Sequence, residues 1–130
     1  MATIKSYTDI NQSKKLAKIL PLESADMYYM NGTKHVLVIP NYETDFFHLQ
    51  EDDIPSWSLS ALLEQIPYEL CDDDGNSYYL QIYKDDDLYQ LEYKDHSLYG
   101  DFESIETDRY EHFVDACVEL ILKLNELNLL

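Results

Sequence analysis

The sequence predicts an α+β fold. An N-terminal hairpin and a tyrosine-rich meander form an antiparallel sheet, with about three helices, the longest at the C-terminus. Three observations predict it. Asn31-Gly32 stands between two β-prone runs and tolerates φ > 0 at both turn positions, a strong hairpin signature. Ser77–Tyr83 and Leu88–Tyr93 alternate with the period of two that marks half-buried strands. Tyr110, Val114, Cys117, Ile121 and Leu124 recur at i, i+4, i+7, i+11 and i+14, one continuous apolar stripe on a helix.

In chain order, a first helix is expected from about Thr8 to Leu20. Asp9 and Gln12 are spaced as a capping pair, Ile10, Leu16, Ala17 and Leu20 form the apolar face, and Pro21 ends it. The hairpin strands are Asp26–Met30 and Thr33–Ile39, closed by Pro40. Residues 41–56 read as irregular, with Phe46, Phe47 and the acidic run Glu51-Asp52-Asp53, ending near Pro55. A short helix from about Ser58 to Ile66 buries Leu59, Leu62, Leu63 and Ile66 and stops at Pro67. In the meander, joined by Lys84-Asp85-Asp86-Asp87, one strand puts Tyr78, Leu80 and Ile82 on one face, and the other Tyr89, Leu91 and Tyr93. Pro67–Cys71 is a candidate edge strand, and Ser97–Phe102 a further short one. The last helix is expected from about Asp108 to Leu127.

A chain of 130 residues, 45% hydrophobic and 27% charged, fits a single domain spanning residues 1–130 and does not fit disorder. No run approaches the roughly 18 apolar residues of a membrane-spanning helix. Met1 to Lys18 has no apolar stretch of the signal-peptide kind. Cys71 and Cys117 form no C-x-x-C pair, and Cys117 falls on the apolar stripe as a buried thiol. A reducing cytoplasm is the expected location; a secreted domain freed of its leader is the alternative.

Charge is the most distinctive property. The net is −17, from 26 acids against 9 Lys and Arg. Residues 1–18, with Lys5, Lys14, Lys15 and Lys18 against Asp9, carry +3, which leaves −20 on the rest. Such a body repels phosphates, so no direct nucleic-acid binding and no membrane association are expected. A basic protein partner, a cation or simple solubility fit the charge.

Two stretches, Ile4-Lys5-Ser6-Tyr7-Thr8-Asp9-Ile10-Asn11-Gln12-Ser13-Lys14-Lys15-Leu16-Ala17 running on through Leu20-Pro21-Leu22-Glu23-Ser24-Ala25-Asp26-Met27, and Ile54-Pro55-Ser56-Trp57-Ser58-Leu59-Ser60-Ala61-Leu62-Leu63, resemble a family of small acidic uncharacterised proteins. That family occurs in gut bacteria, their phages and their mobile elements. The likeness covers about a third of the chain. It implies a cytoplasmic role linked to mobile DNA and brings with it no activity, cofactor or catalytic residue.

Four constellations carry the functional expectations. Asp72-Asp73-Asp74-Gly75-Asn76 invites a calcium reading, but aligning Gly75 with the loop glycine of an EF-hand puts Leu70 and Gln81 where acidic ligands belong. Asp85-Asp86-Asp87 lies at the other end of a strand, roughly 20 Å away, and cannot share an ion. Asp95, in the next turn, can approach Asp72, Asp73 and Asp74, so these four are the candidate divalent-cation ligands, against solvated turns as the ordinary account. On the long helix, Asp108, Glu111, Asp115 and Glu119 step by 3, 4 and 4, one acidic face opposite the apolar stripe. Such a ladder is either a solvated face or, spaced roughly 6 Å apart, an imitation of a phosphate backbone.

The histidines, His35, His48, His96 and His112, have no zinc spacing; His112 reads as helix surface. No G-x-S-x-G, Walker A or G-x-G-x-x-G motif is present. Among the twelve tyrosines, Tyr79 and Tyr83 share the face opposite Tyr78, Leu80 and Ile82. They lie exposed beside Gln81 if the latter set faces the core, as a protein-binding surface or as ordinary strand formers. Trp57 reads as a partly buried packing anchor. The expected function is that of a cytoplasmic protein–protein interaction or regulatory protein, in its sharper form an acidic DNA mimic, using no cofactor. The alternative is a small enzyme or cation-binding protein built on loop carboxylates.

Overall fold

Asp9 opens the first helix as the sequence requires: its carboxylate accepts the Gln12 backbone N–H at 2.8 Å, and the Gln12 side chain accepts the Asp9 N–H at 3.1 Å. The computed structural model describes residues 4–30, 36–38, 52–95 and 105–130. Among these residues it contains three α-helices and seven strands, all paired antiparallel, so the fold is α+β with its longest helix at the C-terminus. The chain divides into two compact units, 1–65 and 66–130.

In unit 1–65 the first helix, α1 (Ile10–Leu16), is shorter than its apolar pattern, and Leu20 is buried beyond its end. Strands β1 (Met27–Tyr29) and β2 (Val36–Val38) form the expected hairpin, with Tyr29 opposite Val36. A two-residue turn on Asn31-Gly32 would set Tyr29 opposite Lys34, two positions from the partner it takes. The turn itself lies outside the described residues, as do Phe46, Phe47, His35 and His48.

The stretch read as irregular contains a strand, β3 (Ile54–Ser56), which pairs with β1 and sets Pro55 opposite Tyr28, giving the order β2-β1-β3. Proline has no N–H to donate and is accepted here because β3 is an edge strand. Next comes α2 (Leu59–Gln65), where the Ser58 hydroxyl accepts the Ala61 N–H at 3.2 Å and Asp26 holds Ser58 in turn.

Thr8 ties these pieces together. Its backbone N–H donates to the Trp57 carbonyl at 3.0 Å, and its hydroxyl accepts the Trp57 N–H at 3.1 Å. The same hydroxyl meets Ser13 at 2.7 Å and Ser56 at 3.0 Å, all three side chains being buried. Tyr29 donates its hydroxyl to the Thr8 carbonyl at 2.7 Å. Trp57 is fully enclosed, not partly so, with its indole N–H on the Ser24 hydroxyl at 2.9 Å.

In unit 66–130 a four-stranded sheet runs in the order β4-β5-β6-β7, from β4 (Glu69–Cys71), β5 (Ser77–Asp85), β6 (Leu88–Asp95) and β7 (Ile105–Glu106). The meander and the N-terminal hairpin thus belong to two sheets, one in each unit. β5 and β6 are longer than their apolar alternation, because the turn between them is the two residues Asp86-Asp87, with Asp86 at φ +53°. The expected strand Ser97–Phe102 and His96 lie outside the described residues.

The last helix, α3 (Phe113–Glu126), begins five residues later than its periodicity predicts, with His112 as the cap residue. The reason is a competing partner. Tyr110 exchanges both backbone hydrogen bonds with Tyr89 of β6, at 2.7 and 2.9 Å, and Thr107 takes both its backbone and its hydroxyl to Leu91. Residues 107–110 therefore extend the sheet edge and are unavailable to the helix. The stripe survives from Val114 onward, with Val114, Cys117, Leu120, Ile121 and Leu124 fully buried. α3 packs on β6, and the Tyr89 and Phe113 rings meet at 5.2 Å, so the side of the sheet bearing Leu91 and Tyr93 is the inner one.

Candidate functional site

The register of the β5–β6 hairpin sorts its side chains. Tyr78, Leu80, Ile82 and Lys84 lie on the inner side, the last three opposite Tyr93, Leu91 and Tyr89. Tyr79, Gln81, Tyr83 and Asp85 lie opposite Lys94, Glu92, Gln90 and Leu88 on the outer side. Tyr83 is 40% exposed, Tyr79 half-buried, and Tyr68, whose ring meets Tyr79 at 5.6 Å, is 71% exposed. The outer face thus carries Tyr79, Gln81 and Tyr83, as the alternation predicts, among the charged side chains of Asp85, Glu92 and Lys94. Its inner counterpart is not uniformly covered, since Ile82 remains exposed near the turn.

At the turn end of this face lies a cavity of about 460 Å³ lined by Tyr83, Lys84, Asp85, Leu88, Gln90, Glu92 and Arg109. The Tyr83 hydroxyl donates to Glu92 Oε1 at 3.0 Å, a diagonal cross-strand pair, and this bond together with the Glu92 charge raises the Tyr83 pKa. Gln90 Nε2 donates to the Thr107 carbonyl at 2.9 Å. Arg109 meets Asp85 at 3.4 Å. Sequence reasoning misses Leu88, Gln90, Glu92 and Arg109. A four-residue Lys84–Asp87 connection would set Tyr83 opposite Leu88, whereas the Asp86-Asp87 turn sets it opposite Gln90 and beside Glu92, and Arg109 arrives through the pairing of Tyr110 with Tyr89. Unit 66–130 also holds most of the charge, with 17 acids against 4 bases; unit 1–65 has 9 against 5.

The acidic ladder is not formed. Asp108 and Glu111 precede α3, and only Asp115 and Glu119 lie on it. Glu119 is turned to internal use: Oε2 accepts the Asp108 N–H at 2.9 Å, and Oε1 faces Lys123 at 3.4 Å. Burial, then a hydrogen bond to Glu119, pushes the Tyr110 hydroxyl up to about 12. Lys123 in turn donates to the Glu106 carbonyl at 2.6 Å. A carboxylate strapping a segment to its helix is not an element of a phosphate-like row.

The aspartate triplet is likewise engaged with itself. Asp72 accepts from the Tyr78 hydroxyl at 2.6 Å, from the Asn76 N–H and amide, and from the Asp74 N–H. These donors, the Tyr78 hydroxyl foremost, hold its carboxyl down to about 2. Gly75, at φ +84°, closes the turn with its N–H on the Asp72 carbonyl. Asp95 lies opposite Tyr78 in the register, so the strand pairing does bring it towards this turn; its side chain lies outside the described residues. Among the described residues no three His, Cys, Asp or Glu side chains group to hold a metal ion.

A further cavity of about 410 Å³ borders Asp9, Ile10, Asn11 and Tyr29 in unit 1–65. Its carboxylate, Asp9, is occupied by Gln12 and by Lys5 at 3.1 Å. Of the two thiols, Cys117 is buried and pushed up to about 12 by that burial, whereas Cys71 is exposed. No helix among the described residues is long and apolar enough to cross a membrane. Compared with protein families, curated proteins and solved structures, the chain matches none.

Proposed function

We propose that this protein is an interaction or regulatory module that binds a basic protein through the outer face of its four-stranded sheet. The observation that carries this reading is the band Tyr79, Gln81 and Tyr83 with the Tyr68 ring against Tyr79, where Tyr68 and Tyr83 are exposed and Tyr79 and Gln81 half-buried, on the unit with the larger excess of acid. Tyrosine supplies large contact area at small cost in side-chain freedom, and surrounding acid draws a cationic partner and deters nucleic acid. The likeness of the N-terminal stretch to proteins of phages and mobile elements supports a regulatory role in the cytoplasm.

Affinity capture from a bacterial lysate tests it, with the wild type against Tyr68→Ser/Tyr79→Ser/Tyr83→Ser, each checked for an unchanged fold by circular dichroism. The wild type should retain a basic protein at about 0.1 M salt and release it towards about 1 M, as the screening length falls from ~10 to ~3 Å. The variant should lose it at both. An identical set of captured proteins on both forms would reject the surface.

A further inference from the structure

The cavity at the turn end of the β5–β6 hairpin has a charge balance that its composition conceals. Two cations and two carboxylates line it, yet they do not cancel one another inside it. Arg109 is paired with Asp85. Lys84 belongs to the inner side of the strand, its ammonium 5.4 Å from the centre of the Tyr89 ring. That leaves Glu92, which takes only the Tyr83 hydroxyl on one oxygen and has no partner on the other among the described residues. With its amide nitrogen held by the Thr107 carbonyl, Gln90 offers its carbonyl oxygen as a further acceptor. Leu88 and the Tyr83 ring supply apolar wall.

We infer that this cavity receives one lysine or arginine side chain of the basic partner, its aliphatic stem against Leu88 and Tyr83 and its cationic head on Glu92 and Gln90. The inference rests on the interaction reading above and gives it a specificity element. The chemistry is selective. A cation gains the Glu92 charge and the face of the Tyr83 ring. A phosphate or carboxylate would meet Glu92 unshielded, with Arg109 at the cavity wall already committed to Asp85. The volume falls in the lower part of the range of roughly 300–1,000 Å³ typical of small-ligand pockets, ample for a single long side chain with its water.

The test is a titration of the isotope-labelled full chain, followed by NMR, with a short Gly/Ser peptide bearing one central arginine. A peptide with norleucine in place of arginine is the control. Shifts should gather on the amides of Tyr83, Gln90, Glu92 and Arg109, and the norleucine peptide should produce none there. Glu92→Gln should weaken binding about tenfold, the value of one charge-assisted contact. Arg109→Gln, which frees Asp85, should tighten it; a general loss of structure would not move the two variants in opposite directions. Shifts spread evenly over the acidic turns, Asp72–Asp74 included, or unchanged binding by Glu92→Gln, would overturn the cavity assignment. If Glu92→Gln still captures the partner that the tyrosine variant loses, the cavity falls and the surface stands. If neither change affects capture, both fall.

Discussion

Asp72 and Thr8 do comparable work by opposite means, one on the surface and one in the interior. The Asp72 carboxylate draws the Tyr78 hydroxyl and its own turn around it, and its folded-state pKa lies near 2, below the ordinary 3.8. The stabilisation is therefore complete above pH 3.8 and is lost as pH falls through about 2. Removing the Tyr78 hydroxyl, the donor with the largest effect, in Tyr78→Phe should return the Asp72 midpoint towards 3.8, read from its carboxyl carbon resonance; an unmoved midpoint would show that the backbone donors suffice. Thr8 is buried and satisfies the Trp57 N–H together with two serine hydroxyls. Thr8→Val keeps the shape and strands those groups, which should cost about 1–3 kcal/mol. A urea titration followed by the fluorescence of Trp57, the sole tryptophan, measures it. A midpoint equal to that of the wild type would mean that the hydroxyl cluster contributes nothing net.

Among the elements, competition for the backbone decides what local pattern leaves open. Residues 108–112 carry helical periodicity, yet Tyr110 spends its N–H and carbonyl on Tyr89, and the helix starts at Phe113. Glu119 and Lys123 then strap the 106–110 segment from the helix side. Glu119→Ala should speed amide exchange at Asp108 and Tyr110 while leaving the β5–β6 ladder near Leu80 and Leu91 protected. Uniform loss of protection would make the strap part of the global core instead. This is where sequence reading reaches its limit. The stripe from Val114 to Leu124 and the capping pair Asp9–Gln12 are local regularities, and each appears as read; the alternation of Tyr78 to Ile82 holds in the strand pairing but not in burial, since Ile82 is exposed. β3 with Pro55, the strand-like course of Tyr110 and the neighbours of Tyr83 depend on which distant segment lies alongside. The face of Tyr79 and Tyr83 was legible because alternation alone assigns it; that Gln90 and Glu92 flank Tyr83 was not, because only the register sets it, and the approach of Arg109 depends on residues 107–110 running along β6. The acidic ladder failed for the same reason as the helix start.

On the scale of the whole molecule, the excess of acid works against folding wherever it is unscreened. The net charge of −17 divides unevenly, with 17 acids and 4 bases in residues 66–130 against 9 and 5 in residues 1–65. The pairs Lys5–Asp9 and Arg109–Asp85 keep at least one partner largely in solvent, so each contributes little. Raising salt from about 10 mM to 1 M shortens the screening length from ~30 to ~3 Å and weakens repulsion more than it weakens these few attractions. Tm should rise by about 2–8 °C, the equivalent of roughly 1 kcal/mol for a domain of this size. Each unit carries its own reporter: Trp57 fluorescence for residues 1–65 and the reactivity of the buried Cys117 thiol for residues 66–130. The protection of Cys117 should gain more from salt than the environment of Trp57. A Tm that falls with salt would show that local pairing outweighs the long-range field. The acid would then be holding the fold together, and the electrostatic half of the partner argument would lose its footing.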